Sequence, residues 1–354
     1  MAKNFVSVLI DTYNHERFIE QAIVSVLEQD FPAADREIIV VDDGSTDRTP
    51  EIVKKFEPRV RLLGKENGGQ ASAFNAGLSE CAGEIVAFLD GDDWWAPGKL
   101  QAVAGALESD ALIGLVGHGI TEVFPDGSQH VQLLNEVPRF RIDSETGARA
   151  FRLRKSFLGT SRMTMRAAVL RQIGRVPEAL TIQADEFLFT LAGYLSDVLI
   201  LRESLTFYRL HAGNTFQVEG DRPALRRKQN VLEALTKSLT AKLEEQKVKK
   251  SVARIAVESI ETEAELIRLS LDPGLPWETV RTEVRNYRIM HPDATLPHWL
   301  FKWLALLPSC VMPSRNYYSL RQSVSQNSVY RKAREKWLPF LQHAHVDRFW
   351  TTKL

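Results

Sequence analysis

Short apolar runs and helically spaced apolar residues take turns along the first hundred positions. Residues 5–10 form a β-rich run, and after it Phe18, Ile19, Ala22, Ile23, Val26 and Leu27 recur at helical spacing. That periodicity predicts a helix which Asn14 can cap and Phe31-Pro32 ends. A strand over 38–41 follows, then a helix from about Pro50 with Thr49 as cap, since proline suits the first helical position. A third strand is predicted over 60–63, a helix over 70–81, a fourth strand over 85–89, a helix over 99–107 and a strand over 112–116. Regular strand and helix alternation predicts an α/β fold, a mostly parallel sheet covered by helices on both faces. Beyond the Pro125-Asp126-Gly127 turn the pattern loosens as far as about Gly174.

The pattern changes again near residue 220. From 223 to 271 the chain is rich in Ala, Leu, Glu, Lys and Arg, and no glycine occurs between Gly220 and Gly274. One or two long helices are expected there, then shorter helical pieces after Pro273 and Pro276. The expected organisation is therefore a catalytic α/β domain over 1–220 and a helical C-terminal region over 221–354.

Composition narrows the function classes. Of 354 residues 44% are hydrophobic and 25% charged, ordinary globular values, and the formal net charge is zero. Zero net charge removes the broad electrostatic case for nucleic-acid binding. Cys81 and Cys310 are too few for a disulfide framework and lack metal-ligand spacing, so they read as buried reduced thiols. No segment approaches the ~20 apolar residues of a spanning helix. These features lead us to expect a soluble, cytoplasmic protein, docked if at all on the inner face of a membrane.

The candidate chemistry sits where two predicted strands end. Phe88-Leu89 runs into Asp90-Gly91-Asp92-Asp93, and Val40-Val41 runs into Asp42-Asp43-Gly44 with Asp47 three residues on. Ligands of open α/β sheets bind outside the carboxyl ends of the strands. Three carboxylates so close repel unless a cation joins them, and clustered hard oxygens suit Mg²⁺ or Mn²⁺ bridging phosphates. A nucleotide diphosphate is the natural ligand. A plainer role also exists for Asp42 and Asp47, as caps of the turn and the next helix.

Four ordered motifs carry a resemblance: Val8 to Asn14, Asp42 to Asp47, Asn67-Gly68-Gly69 with Asn75-Ala76-Gly77, and Phe88 to Asp93. Together they resemble the family 2 glycosyltransferases of the GT-A fold. Ala184-Asp185-Glu186 and Tyr208 to Asn214 resemble that family's later motifs, extending the match to about residue 215; the helical tail is not covered.

The resemblance implies a role for each position. Asp43 would accept the imide N–H of a uracil base, and Tyr13 would lie along the base. Thr12, Asn14 and Asn67 fall in the donor-binding motifs. Gly68 and Gly69 would let the backbone approach the donor, and Asn75 would offer its amide to sugar or phosphate. Asp90 would hold the ribose hydroxyls, Asp92 or Asp93 the cation, and His211 would close on the diphosphate or metal. Asp185 is the implied base that takes the acceptor's proton in inverting transfer. The family's usual Glu-Asp is here Ala-Asp-Glu, so Glu186 is the alternative one residue on.

Activity implied by the resemblance is a hexosyltransferase-type transfer of one sugar from a nucleotide-diphosphate donor, UDP-sugars favoured. The acceptor would be a glycan or a lipid-linked molecule in cell-surface polysaccharide synthesis. A nicotinamide-dependent dehydrogenase shares the alternation but needs a glycine-rich first turn, and Asp11 to Glu16 contains no glycine. A non-catalytic module binding sugar nucleotide or glycan on the same fold stands as the second reading. A processive membrane synthase is disfavoured by the lack of spanning segments. Acceptor contacts fall to 119–182, where no motif is legible.

The last stretch is chemically lopsided. Residues 301–354 hold nine Lys and Arg against two acids, a net +7 in a neutral protein, beside the aromatic and aliphatic patch Trp299 to Leu307. Such a stretch suits the headgroup layer of a membrane. It equally suits packing the helical tail onto the catalytic domain or across a dimer.

Overall fold

The computed structural model describes residues 5–211, 213, 222–272 and 275–326. The chain forms two compact units, divided between Asn214 and Thr215. Residues 327–354, which hold much of the basic stretch, and Asn214 of the Tyr208 to Asn214 motif lie outside the described residues.

Unit 1 is built on one sheet. Its strands are β1 (Val6–Thr12), β2 (Arg36–Asp42), β3 (Arg61–Gly64), β4 (Ile85–Asp90), β5 (Trp94–Trp95), β6 (Ile113–Val123), β7 (Gln129–Gln132), β8 (Arg139–Phe140), β9 (Thr164–Arg166) and β10 (Asp197–Arg209). Its helices are α1 (Ile19–Leu27), α2 (Thr49–Lys54), α3 (Gln70–Leu78), α4 (Lys99–Ser109), α5 (Glu145–Arg154), α6 (Ala167–Ile173) and α7 (Ala184–Leu195). The strand order is β3-β2-β1-β4-β9-β6-β10-β5, with β7 beside β6 and β8 beside β10. The first four strands are parallel. β9 then enters antiparallel to both β4 and β6, and β10 runs parallel to β6.

Both faces of the parallel part are covered, which is why its strands read as unbroken apolar runs. Val8, Ile10, Val40, Ala87 and Leu89 share one buried cluster with Ile23 and Val26 of α1 and Leu100 and Val103 of α4. On the other face Phe74 of α3 packs on Phe88 with ring centroids 5.3 Å apart. α3 comes so close that a Cβ on Gly77 would stand 2.2 Å from Leu9 Cδ1. Register then decides the functional edge: Asp11 is level with Asp90, and Thr12 with Asp42.

Local expectations fail where side chains act at longer range. Asn14 does not cap α1, which begins only at Ile19. With φ 56° it accepts from Thr46 N at 2.8 Å and so ties the loop after β1 to the loop after β2. α1 ends at Leu27, before Phe31-Pro32. α2 already includes Thr49, whose N–H is capped by Asp47 Oδ1 at 2.9 Å. α3 stops at Leu78, short of Cys81, and neither thiol is buried as expected: Cys81 is half-buried and Cys310 is exposed. β6 runs on to Val123, well past Val116, because β7 and β10 both pair with its second half.

Unit 2 is helical: α8 (Arg222–Glu245), α9 (Lys250–Leu271), α10 (Pro276–Met290), α11 (Leu296–Val311) and α12 (Ser314–Gln326). Leu232, Leu235, Leu239 and Leu243 of α8 and Ile255, Ile260, Leu266 and Ile267 of α9 are buried at helical spacing. Inside the same bundle lies an ionic network. Glu263 accepts from Arg321 Nη1 and Tyr318 Oη, both at 2.9 Å, and Lys228 stands 3.6 Å away. Glu283 takes Lys302 Nζ at 2.9 Å and Arg321 Nε at 3.2 Å. Among the described residues no helix is long and apolar enough to cross a membrane.

Candidate active site

Two strand ends, the turn after one of them and a helix start bring carboxylates to one edge. Asp11 is the last residue but one of β1, Asp90 closes β4, Asp92 and Asp93 follow in the turn, and Asp185 lies in the first turn of α7. Gly91 makes room for the turn, since a Cβ there would sit 2.6 Å from Thr12 Oγ1 and 2.9 Å from His15 Nδ1. Thr12 itself is buried, 3.2 Å from that nitrogen.

Each acid meets different company. Asp93 faces inward: Oδ1 accepts from Arg209 N at 2.9 Å and Oδ2 from Ser161 Oγ at 2.6 Å. Burial, reinforced by the charge of Asp92, still pushes its carboxyl up to about 8. Burial and the charge of Asp92 likewise raise Asp11, whose buried Oδ1 meets no hydrogen-bond donor among the described residues. Asp90 is raised by burial and by Asp11 and Asp92. Asp92 goes the other way. Burial would raise it, but the hydrogen bond from His211 and the charges of His15 and His211 together hold it low.

His211 is held at both ring nitrogens: Gly213 N lies 3.1 Å from Nδ1, and Nε2 lies 3.0 Å from Asp92 Oδ2. His15 Nε2 lies 3.9 Å from the same oxygen. Arg209 braces the turn: its Nε bonds Asp92 O at 2.9 Å, and its guanidinium lies between the rings of Trp94 and Phe18, 4.5 and 4.7 Å from their centroids.

Asp185 and Glu186 part company at the start of α7. Asp185 Oδ2 accepts from Thr160 N at 3.1 Å and Oδ1 from Glu186 N at 2.8 Å, and its charge acts on Asp11 and Asp90. The helix N-terminus favours a carboxylate there. Glu186 is buried in an ion pair with Lys155 and accepts from Gln183 Nε2.

Asp43 anchors the loop after β3. Its carboxylate takes Lys65 Nζ at 2.5 Å, Gly68 N at 3.0 Å and Gly69 N at 2.7 Å. Asn67 Nδ2 donates to Asp43 O at 3.0 Å. Gly69 has φ +80°, and the backbone it admits is that of Thr181, whose Cα would be 2.6 Å from an added Cβ. Asn75 pins a neighbouring loop, because its amide group bonds both Val176 O at 2.8 Å and Val176 N at 2.9 Å. Tyr13, at 43% exposure, stands open to solvent rather than in the core. Asp42 and Asp47 hold turns, accepting from Ser45 N and from Glu16 N and Thr49 N.

Several residues of the site carry no motif in the sequence. Ser161 is the hub beneath the acids: its Oγ serves Asp90 N and Asp93, while its carbonyl accepts from Trp95 Nε1, Lys99 Nζ and Thr206 Oγ1. Lys99 and Arg162 are buried beside Asp93, and burial lowers both. Asp11 does have a signal, a lone acid ending an apolar run. Ser161 has none, because β9 and the short turn before it pair only through the folded sheet.

Known proteins resemble this chain in sequence and in fold. Residues 7–174 match the family model described as Glycosyl transferase family 2. An uncharacterized glycosyltransferase of Nostoc sp. is 31% identical over 215 residues, 59% of this chain and 66% of that protein. Poly(ribitol-phosphate) β-N-acetylglucosaminyltransferase TarS of Staphylococcus aureus is 36% identical over 141 residues, 36% of this chain and 25% of TarS. The crystal structure of TarS 1–349 with UDP-GlcNAc superposes with a TM-score of 0.58 at 19% identity, covering 92% of this chain and 93% of that one. A mannosyltransferase from Pyrobaculum calidifontis, solved with GDP-Man and Mn²⁺, gives 0.53 at 17% identity, covering 100% and 89%. The matched stretch thus spans just under two thirds of the Nostoc protein's length and a quarter of TarS. The first unit of this chain is a glycosyl transferase family 2 domain on the GT-A fold.

Proposed function

We propose that this domain is an inverting, divalent-cation-dependent glycosyltransferase. It moves one sugar from a nucleotide-diphosphate donor, a UDP-sugar by preference, to a hydroxyl of a glycan or lipid-linked acceptor in cell-surface polysaccharide synthesis. The observation that carries the reading is the convergence of Asp11, Asp90, Asp92, Asp93 and Asp185 at one strand-end edge, with raised carboxyls at three of the five. TarS, crystallised with UDP-GlcNAc, and the mannosyltransferase, crystallised with GDP-Man and Mn²⁺, support the donor class and the cation.

The donor set suits Mn²⁺ or Mg²⁺. Among the described residues no three His, Cys, Asp or Glu side chains gather closely enough to hold a metal by themselves. Such ions at phosphate sites use one or two carboxylates and take the rest of their shell from phosphates and water. Asp92 is the proposed ligand with His211 beside it, and Asp93, held by Ser161 and Arg209, fixes the turn that presents it. When bound, the cation offsets charge on the diphosphate leaving group. Asp90 takes the ribose hydroxyls, Asp43 the edge of the base, and exposed Tyr13 its face. The loop motif Asn67 to Asn75 shapes the donor cleft through Asp43 and Val176 instead of by direct contact.

Asp185 is the proposed general base. Its two backbone N–H bonds fix the carboxylate, which accepts the acceptor hydroxyl's proton as that oxygen attacks the anomeric carbon. Glu186, engaged by Lys155, is the less suited of the two. Nucleotide release across UDP-, GDP- and dTDP-sugars with Mn²⁺ tests the reading. Release from one donor class is the expected result, and none from any donor with any glycan or lipid-linked acceptor would contradict it.

A further inference from the structure

Helix α11 of unit 2 is amphipathic the wrong way round for a helix that meets only water. Its one formally charged residue, Lys302, is turned inward and buried against Glu283 at 2.9 Å. Leu306 and Ser309 are buried on the same side, and Trp299 packs edge-on against Tyr287. The outward side carries Leu296, Leu300, Trp303, Leu304, Leu307 and Val311, from 47% exposed at Trp303 to 85% at Val311. These positions recur at three and four spacing, so they form one continuous stripe about 22 Å long. Thr279 bonds Ser314 at 3.0 Å, which brings the start of α10 to the end of that stripe. There Leu275 and Trp277 add two more exposed apolar side chains. Contiguous apolar surface of this kind marks an interaction site.

Charge selects the occupant. No acid lies on α11; of the nine Lys and Arg from 301 onward, Lys302 and Arg321 are paired with buried Glu283 and Glu263, and the other seven against two acids leave a net +5 in the sequence. Exposed Arg315 follows the stripe directly. A second copy of the chain carries the same unpaired basic excess, so like charge weighs against it as the occupant. An anionic lipid surface is attracted by that excess, at roughly 1 kcal/mol per basic residue near the headgroups. We propose that the outward face of α11 lies in the headgroup layer of an anionic membrane, with the aliphatic stripe in the acyl boundary and Trp303 and Trp277 at the interface. The inference stands on unit 2 and does not depend on the donor chemistry of unit 1.

Co-sedimentation of the full chain with vesicles tests it. At low salt the chain should pellet with 7:3 phosphatidylcholine/phosphatidylglycerol vesicles, stay in solution with pure phosphatidylcholine, and be released as salt rises. The double substitution Leu300→Asp/Leu304→Asp, at positions already exposed, should weaken partition at least tenfold with unchanged circular dichroism and melting. Intrinsic tryptophan emission should shift to the blue with the wild-type chain and anionic vesicles only. Equal partition by wild type and double variant would overturn the proposal. So would a dimer in sedimentation equilibrium that the double substitution dissociates while neither form binds vesicles, the signature of a second copy on the stripe.

Discussion

Two buried clusters of charge, one in each unit, are assembled on opposite principles. In unit 2 each carboxylate meets cations: Glu263 has Arg321 and Lys228, Glu283 has Lys302 and Arg321. Burial would raise both acids, but those charges outweigh it and hold both below the ordinary range. In unit 1, Asp11, Asp90 and Asp93 are raised, by burial first and then by neighbouring carboxylates, Asp92 acting on all three. The first cluster is complete within the chain and serves the fold. The second holds excess negative charge at the end of a sheet, an arrangement that a cation from outside would complete.

The largest expected effect separates chemistry from binding within the unfinished cluster. Asp185→Asn should lower kcat by about 10² to 10⁴-fold, the usual contribution of a general base, with donor affinity nearly unchanged in calorimetry. Glu186→Gln should act mainly on the melting temperature, since it breaks the buried pair with Lys155. A large kcat defect in Glu186→Gln beside a nearly active Asp185→Asn would move the base by one residue.

Stability should distinguish the two clusters by sign. Glu263→Gln removes a charge on which buried cations rely and should cost about 3–5 kcal/mol in urea unfolding. Asp93→Asn in metal-free protein relieves repulsion and should be neutral or stabilising. Equal losses from both would erase the contrast.

The pH dependence sharpens the same point. A carboxyl raised in the folded state binds its proton more tightly there than when unfolded, so unfolding becomes easier as pH rises between the two values. For metal-free protein this places a loss of unit 1 stability between about pH 4, the ordinary value, and about 8, the Asp93 value. Glu263 and Glu283 are lowered, so their stabilisation is present above the ordinary carboxylate value and is lost as pH falls through their folded values. Urea midpoints followed by probes in each unit should fall for unit 1 as pH rises from about 4 to about 8, while those of unit 2 stay nearly level over that range and drop only as pH goes below the ordinary carboxylate value.

The smallest effect is expected at Ser161→Ala. Losing the hydroxyl that holds Asp93 and Asp90 should cost about 1 kcal/mol, and it should appear as weaker apparent Mn²⁺ affinity at nearly unchanged kcat. A kcat loss without a change in Mn²⁺ affinity would deny Ser161 its positioning role.

How much of this is legible in the sequence follows the range of the interactions. Local periodicity suffices for β1, β2, β4, α1 and α4, and a strand exit is enough to single out Asp90, Asp92 and Asp93. Asn14 looks like a helix cap only because its true partner, Thr46, lies 32 residues away. Ser161 and the full length of β6 depend on pairing across the sheet, which no local pattern encodes. The ionic network of unit 2 is hidden for another reason: Lys228, Glu263 and Glu283 read as ordinary surface residues of Lys- and Glu-rich helices until packing turns them inward. Lys302 is similarly hidden in an apolar patch, and its inward turn is what leaves the leucines of α11 outside.

The central claim, that the strand-end acids await a cation, is tested most directly by titrating UDP into the protein by calorimetry with and without Mn²⁺. Wild type should bind UDP only when Mn²⁺ is present, and Asp92→Asn, still folded by circular dichroism, should bind weakly in either condition. Equal UDP affinity with and without Mn²⁺ in the wild type would contradict the account.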